Sequence, residues 1–213
     1  MSYYPVLLDL AGRDVAVVGG GAVAREKALG LLEAEARVVV FAAELEPELA
    51  ALERAGRIVH RRGEPGPEDL ATVALVVAER RGADHNAALH VAATRAGRFV
   101  NVQDEVASSS FIAPAIVRQG DLVVAISTSG AAPVLAVRLR QHLERGLGPE
   151  YARFLTLARR FRAPLAAAVP CFDTRRERWY RLVDSPVWDC LRGGDEEGAR
   201  RLAVEILGVH PDG

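Results

Sequence analysis

Two hydrophobic patterns alternate along the first half of this chain. Residues 15–18 form a short β-branched run that leads into three glycines. Apolar residues then recur at helical spacing, at Ala24, Ala28, Leu31 and Leu32, and a second apolar run follows at 37–41. The runs predict buried strands, and the spacing between them predicts a helix. Because a helix that joins such strands crosses over the sheet, we expect the two strands to be parallel.

The same alternation continues as far as residue 126. It predicts helices near 46–54 and at 84–95, and strands at 73–78, 98–102 and 122–126. Pro133 favours the first position of a further helix. Strands that alternate with helices are typical of an α/β fold with a doubly wound parallel sheet.

Residues beyond 148 lack strand-like runs and are predicted to be helical. Pro164, Pro170 and Pro186 are expected to separate the helices. Asp195 is expected to cap the last helix, whose apolar positions are Ala199, Leu202, Ala203 and Ile206. The sequence therefore predicts three regions, residues 1–112, 113–148 and 149–213.

Composition places the chain among folded globular proteins, with 50% hydrophobic and 26% charged residues. The formal net charge of -1 at pH 7 supplies no broad positive field, so we expect no nucleic-acid partner. Apolar stretches fall short of the roughly 20 residues that span a bilayer, and the N-terminus lacks a leader pattern. We expect a cytoplasmic protein without membrane contact. Its two cysteines, Cys171 and Cys190, are expected to be inert and partly buried.

The glycine turn after the first strand has the spacing of a dinucleotide-binding loop. Gly19 would make the tight turn, Gly21 would let the backbone approach a pyrophosphate, and Ala24 would allow close packing of helix and strand. A plain tight turn and an S-adenosylmethionine site are the alternatives. At the end of the second strand, Glu44 or a backbone group would hold the adenosine ribose, and no arginine stands there for a 2′-phosphate. The pattern therefore favours NAD over NADP.

Four blocks of sequence stand in order between residues 3 and 145. They are YPVLLDL with GGGAVAREK at 4–10 and 19–27, NVQD at 101–104, SFIAPAI at 110–116, and AISTSG with PVLA at 125–130 and 133–136. In this order and spacing the blocks resemble precorrin-2 dehydrogenases, including the N-terminal part of bifunctional and trifunctional sirohaem synthases.

The resemblance implies a fold, an activity and a set of site residues. The implied fold is a Rossmann-like NAD-binding domain over 1–112, a dimerisation segment over 113–148 and a small helical domain over 149–213, in a homodimer. The implied activity is NAD-dependent oxidation of precorrin-2 to sirohydrochlorin, which several members follow with insertion of Fe²⁺ to give sirohaem. The resemblance assigns catalysis to Asp104 and cofactor contacts to Ala22, Val23, Ala43 and Glu44.

Two departures from the family pattern bear on the site. Ala78-Glu79-Arg80 stands where the family usually has Ala-Thr-Asp, so a small hydroxyl is lost and a bulky charge is gained. We expect nucleotide binding to be altered or weakened, with Arg80 as the first suspect. In the first helix Glu26-Lys27 replaces the family's Arg-Lys pair, and Arg25 lies about 100° away around the helix. This second departure is interpreted as a surface change.

Asp104 follows the strand at 98–102 at its carboxyl end, where open α/β sheets bind ligands. Its carboxylate could accept the proton released as hydride leaves the macrocycle, and could later remove pyrrole protons or guide Fe²⁺. A solvated loop aspartate is the alternative. Asn101 on the same strand is a weaker candidate for fixing a substrate carboxylate, with structural capping as its alternative.

Precorrin-2 carries many carboxylates, so its pocket needs donors for anions. Ser127, Thr128, Ser129 and Gly130 precede a predicted helix and offer hydroxyls and free amides, with ordinary helix capping as the alternative. Of the arginines that crowd the C-terminal half, we expect two or three to contact substrate and most to be solvated. The five histidines show no metal-ligand spacing, so we expect no stable metal site and interpret any iron as a transient substrate.

Three other functions stay open at this level. The first is a dehydrogenase without chelatase activity. The second is a non-catalytic protein that binds NAD or a tetrapyrrole, which the change at Arg80 makes plausible. The third is an unrelated NAD-linked oxidoreductase, against which the blocks at 101–104 and 127–130 count.

Overall fold

A computed structural model describes residues 3–211, and the chain divides into two compact units, Met1–Ala113 and Pro114–Gly213. The described part of the first unit holds five strands, β1 (Asp14–Val18), β2 (Arg37–Phe41), β3 (Ile58–Arg61), β4 (Leu75–Ala78) and β5 (Phe99–Val102). Its helices are α1 (Ala22–Glu33), α2 (Pro47–Arg54), α3 (Pro67–Thr72) and α4 (Ala83–Arg95). All strand pairs are parallel, in the order β3-β2-β1-β4-β5. The predicted doubly wound α/β sheet is confirmed.

Strand β1 is central because its side chains pack into two separate cores. Val15 and Val17 pack in the core on one face, together with Ala24 and Ala28 of α1. Ala16 and Val18 belong to the core on the opposite face, which also contains Leu89 and Ala93 of α4. A strand buried on both faces requires the continuous apolar run that the sequence shows here.

The chain reverses its direction of winding between β1 and β4. From β1 it builds β2 and β3 to one side, then returns to place β4 against the free edge of β1 and β5 beyond it. In such folds ligands bind outside the carboxyl ends of the strands at this switch point. The loops that follow β1 and β4 therefore define the first place to look for a site.

Two elements of the first unit were missed at the sequence level, strand β3 and helix α3. Strand β3 lies at the sheet edge, and its residues Ile58–Arg61 alternate between buried and accessible positions instead of forming an apolar run. Val59 is 56% exposed there. Helix α3 spans six residues, too few to display a helical period.

The second unit begins with an antiparallel hairpin of β6 (Ala115–Gln119) and β7 (Leu122–Ile126), separate from the parallel sheet. Five helices follow among its described residues: α5 (Pro133–Gly146), α6 (Glu150–Ala168), α7 (Phe172–Val183), α8 (Val187–Arg192) and α9 (Glu196–Leu207). Strand β7 and the helix start at Pro133 are as predicted, whereas β6 was missed. Within residues 3–211, no helix combines the length and apolar character that crossing a membrane requires.

Pro164 lies inside α6 and does not separate two helices, contrary to the prediction. Phe161 and Leu165 on either side of it are fully buried in the helical core. Their packing offsets the hydrogen bond that proline cannot donate, because tertiary burial outweighs local propensity.

Asp195 caps α9 as predicted, since its Oδ1 accepts a hydrogen bond from Gly198 N at 2.8 Å. Asp195→Ala should lower the free energy of unfolding of the second unit by about 1 kcal/mol, the usual effect of losing an N-cap. Thermal denaturation followed by tryptophan fluorescence would measure this loss. The exposed Asp189, which pairs with Arg192 on its own helix, supplies the control Asp189→Ala. Equal loss from both variants would contradict the capping role.

Candidate functional site

Four loops meet the carboxyl edge of the parallel sheet in the first unit. The glycine turn follows β1, Ala43 and Glu44 follow β2, Glu79 follows β4 and Asp104 follows β5. Because the carboxyl ends of parallel strands lie at one edge, these loops share that edge. The sheet therefore brings together the predicted cofactor residues and the predicted catalytic aspartate.

The glycine turn is tight, and its backbone conformation and close neighbours require glycine at positions 19 and 20. Gly19 has φ +133°, a backbone conformation that side chains disfavour, and donates its N–H to Phe41 O at 2.9 Å. A Cβ on Gly20 would stand 2.0 Å from the backbone oxygen of Glu44. Glu46 N donates to Gly20 O at 2.8 Å, so the loop after β2 packs directly on the turn.

Helix α1 begins at this turn and directs its first amides toward the sheet edge. Its N-cap residue, Gly21, has no side chain to accept from them. Ala24 is buried against the sheet, which permits the close approach of helix and strand that the spacing predicted. Ala22 is exposed and Val23 is half-buried. The backbone and small side chains of this turn fit a pyrophosphate, because the first amides of a helix have no partner within the helix itself.

The side chain of Glu79 reaches into this turn. Its Oε1 accepts hydrogen bonds from Gly21 N at 3.1 Å and from Ala24 N at 3.0 Å. A Cβ on Gly19 would lie 2.4 Å from Oε2 of the same carboxylate, so the turn closes around it. A carboxylate therefore holds the amides that a bound pyrophosphate would use.

Glu79 was not singled out at the sequence level, where Arg80 was the first suspect. Arg80 is 61% exposed and turns away to Glu105, with Nε 3.6 Å from Oε2. The signal that could have identified Glu79 is its place directly after β4, since a doubly wound sheet puts β4 beside β1.

Asp104 stands exposed in the turn after β5, with φ +53°. Gln103 N donates to Ala78 O at 3.0 Å, which ties this turn to the end of β4. Ser109 Oγ accepts from Val102 N at 2.9 Å and donates to Glu105 O at 2.8 Å, which ties it to the end of β5. A non-glycine residue in the left-handed region is uncommon outside such constrained turns and is enriched at functional sites.

Asn101 is half-buried on β5 and is engaged within the fold. Its Nδ2 donates to Phe111 O at 2.9 Å. This bond ties β5 to the segment before the second unit and accords with the structural alternative given for this residue.

Ser127, Thr128, Ser129 and Gly130 form the turn between β7 and α5 in the second unit. Ser127 Oγ accepts from Ser129 N at 3.0 Å, and Thr128 Oγ1 accepts from Ala132 N at 3.2 Å. These hydroxyls stabilise the turn before the helix, and neither caps an amide within α5, whose N-cap residue is Ala132. Ser129 and Gly130 are exposed, with φ +53° and +83°.

Arg25 does more than change the surface of α1. Its Nε lies 3.3 Å from Glu46 Oε1, and its Nη1 pairs with Glu48 at the start of α2. The displaced arginine therefore ties α1 to the loop that follows β2, beside the predicted ribose position.

The two cysteines differ in exposure, and only Cys171 departs from the predicted partial burial. Cys190 is half-buried, whereas Cys171 is exposed at the N-cap position of α7. Hydrogen bonds from the Thr174 hydroxyl and from the amides of Thr174 and Asp173 lower the pKa of the Cys171 thiol. In residues 3–211, no group of three or more His, Cys, Asp or Glu side chains is arranged to hold a metal ion.

Three family models match successive parts of the chain. Residues 6–115 match a putative NAD(P)-binding family, residues 119–146 the central region of sirohaem biosynthesis proteins, and residues 150–207 the sirohaem synthase dimerisation region. The dimerisation model thus matches residues beyond 149, whereas the family resemblance implied a dimerisation segment at 113–148. That placement stays a prediction.

Known proteins resemble the chain along almost its whole length. It is 38% identical over 200 residues to a sirohaem synthase of Chromobacterium violaceum, matching 94% of this chain and 43% of that protein. It is 40% identical over 208 residues to sirohaem synthase 1 of Aeromonas salmonicida, matching 97% of this chain and 44% of that protein. The chain therefore spans less than half the length of these relatives.

A solved structure shares the fold. The chain superposes on SirC, a precorrin-2 dehydrogenase, with a TM-score of 0.72 and 24% identity, covering 95% of this chain and all of that one. The NAD(P)-binding model covers just over half of the present chain, and two sirohaem-protein regions follow it in order. The chain accordingly belongs to the putative NAD(P)-binding family.

Proposed function

We propose that this protein oxidises precorrin-2 to sirohydrochlorin with NAD as the hydride acceptor. The observation that carries the proposal is the exposed Asp104 carboxylate, held in the left-handed region at the sheet edge that also carries the glycine turn. The named relatives, sirohaem synthases and a precorrin-2 dehydrogenase, supply the substrate class.

In this proposal the chain's own residues bind the cofactor and hold a proton. NAD, when bound, accepts the hydride that leaves the macrocycle. The amides of the glycine turn would contact its pyrophosphate, and Glu44 with the backbone at Ala43 would face its adenosine ribose. Asp104 accepts the proton that the macrocycle releases together with the hydride, so that the two-electron oxidation balances.

The surroundings of the β2 end support NAD rather than NADP. Two arginines close to this strand end are paired with carboxylates, Arg25 with Glu46 and Arg61 with Asp69. Arg61 also lies over the ring of Phe41, 6.0 Å from its centroid. A 2′-phosphate would have to compete with these carboxylates for either arginine, whereas a ribose hydroxyl would not.

Substrate carboxylates need donors, and we assign this role to the turn at Ser127, Thr128, Ser129 and Gly130, where the Ser127 and Thr128 hydroxyls accept within the turn and can still donate. We further propose Fe²⁺ as a second substrate that binds only transiently; its insertion displaces two pyrrole protons, which Asp104 would accept one after the other and pass to solvent. A homodimer in the cytoplasm completes the proposal. The homodimer is supported by the match to a dimerisation region and by the exposed apolar face of α5, where Val134 is 72% and Leu135 51% exposed.

The proposal is tested by anaerobic incubation of the purified protein with precorrin-2 and NAD, followed by addition of Fe²⁺. We expect NADH and the sirohydrochlorin spectrum to appear together, and the metal-free spectrum then to disappear faster than without protein. NADH formation without faster iron insertion would leave a dehydrogenase alone. Failure to form NADH would contradict the proposal.

A second candidate is a non-catalytic protein that binds a tetrapyrrole. The observation that favours it is the Glu79 carboxylate on the amides of the glycine turn. Binding of precorrin-2, without NADH formation at any NAD concentration, would select this second function.

A further inference from the structure

Helix α1 obtains its N-terminal cap from a distant part of the chain. Gly21 and Glu79 are 58 residues apart, yet Glu79 Oε1 lies 3.1 Å from Gly21 N and 3.0 Å from Ala24 N. The first turn of α1 contains no acidic residue, and its N-cap residue has no side chain. The Glu79 carboxylate therefore satisfies amides that the helix leaves open, and its charge is favourable at a helix N-terminus.

The backbone fixes where Glu79 begins. Strand β4 pairs with β1 in parallel register, with Ala78 beside Val18. Glu79 N then donates to Val18 O at 2.9 Å, which extends the ladder by one residue past the strand. From this anchored position the side chain enters a turn so narrow that a Cβ on Gly19 or Gly21 would meet its carboxylate at 2.4 or 2.9 Å.

A dinucleotide needs the same donors. Its pyrophosphate binds to the first amides of the helix that follows the glycine turn. Two anions cannot accept from the same two N–H groups, and their like charges repel at this separation. Binding would therefore require the Glu79 side chain to leave the turn and expose the amides.

We propose that Glu79 is an affinity-determining residue that occupies the pyrophosphate position until NAD displaces it. This inference rests on the proposed function, since it concerns the same cofactor site. It reassigns the effect expected at Arg80, whose guanidinium points instead to Glu105. Although the two residues are adjacent, Glu79 contacts the amides of the glycine turn and Arg80 pairs with Glu105.

The inference is tested by measuring the Kd for NAD of the wild-type protein and of two Glu79 variants by isothermal titration calorimetry. Glu79→Ala empties the turn, and we expect it to tighten NAD binding by about 10- to 100-fold, the equivalent of losing hydrogen bonds to a charged group. Glu79→Gln keeps the shape and a neutral acceptor but removes the charge, so its Kd should lie between the two.

The matched control is Glu26→Gln. Glu26 lies on α1, the helix that Glu79 caps. Its side chain is 77% exposed and pairs with Lys27 at 3.6 Å. Its replacement changes the net charge by the same amount without opening the turn, and its Kd should equal that of the wild type. A general effect of charge would move all three variants together.

A second readout reports the displacement itself. The backbone amide signals of Gly21 and Ala24 in nuclear magnetic resonance should shift in Glu79→Ala without any ligand. In the wild type they should shift only when NAD is added. Unchanged signals in Glu79→Ala would show that the carboxylate does not hold these amides, and would overturn the inference.

The outcomes separate this inference from the proposed function. Equal Kd values for wild type and Glu79→Ala would overturn the inference whether or not precorrin-2 is oxidised. Absence of NAD binding in all variants would also overturn it, because emptying the turn would then expose no site. A graded Kd series without NADH formation would support the inference while contradicting the proposed oxidation.

Discussion

Replacing Asp104 by asparagine is expected to slow precorrin-2 oxidation by at least about 100-fold, the usual range for loss of a general base. Asparagine tolerates the left-handed backbone conformation that Asp104 adopts, so the turn should keep its shape. It cannot accept the proton as a carboxylate does. The Kd for NAD should be unchanged, because Asp104 belongs to the turn after β5 rather than to the glycine turn.

NADH formation under anaerobic conditions measures the first effect, and calorimetric titration measures the second. Asp14→Asn is the matched control. Asp14 begins β1 at the amino-terminal end of the parallel strands, opposite the carboxyl ends that carry Asp104. Its Oδ1 accepts a hydrogen bond from Arg37 Nε at 2.6 Å. An Asp104→Asn protein that oxidises precorrin-2 at the wild-type rate would remove Asp104 from the mechanism. Loss of NAD binding in that variant would instead assign it to the cofactor site.

Replacing Phe161 by alanine is expected to lower the free energy of unfolding of the second unit by about 3–5 kcal/mol, through lost burial and the cavity left behind. Phe161 is fully buried on α6 and packs in one core with Leu165, Leu182 and Val187. These neighbours come from three helices, so the cavity would open where α6, α7 and α8 meet.

Urea denaturation followed by tryptophan fluorescence isolates this unit, because both tryptophans, Trp179 and Trp188, lie in it. Trp188 stacks on Phe154 with ring centroids 4.6 Å apart, so its emission reports the packing of the core. Phe172→Ala is the control, since Phe172 is 64% exposed in the same unit. Comparable losses from the two variants would contradict the central place of Phe161.

Local sequence patterns anticipated the strands made of continuous apolar runs and the longer helices. The limits of β2 and β7 coincide with the predicted runs, and α4 begins one residue before its predicted start. Asp195 was identified because capping depends on residues only three positions apart. Such features depend on residues that lie within one or two helical turns of each other in the sequence, so they can be predicted without the rest of the molecule.

Elements whose stability comes from distant partners were not anticipated. Strand β3 forms because it pairs with β2, although only its first two residues, Ile58 and Val59, are apolar. Helix α6 continues through Pro164 because flanking aromatic and aliphatic side chains are buried by other helices. In both cases tertiary packing outweighed the local conformational preference of the sequence.

The sequence by itself determined the α/β fold, the glycine turn between β1 and α1, and the place of Asp104 after a strand, because each depends on neighbouring residues. Only the tertiary structure decided what faces the glycine turn. The pairing of β4 with β1 brings Glu79 to the amides of Gly21 and Ala24, while Arg80 is directed elsewhere. Backbone geometry at the end of β4 decides which of these two adjacent charged residues meets the cofactor position. Composition and motif spacing do not specify that geometry.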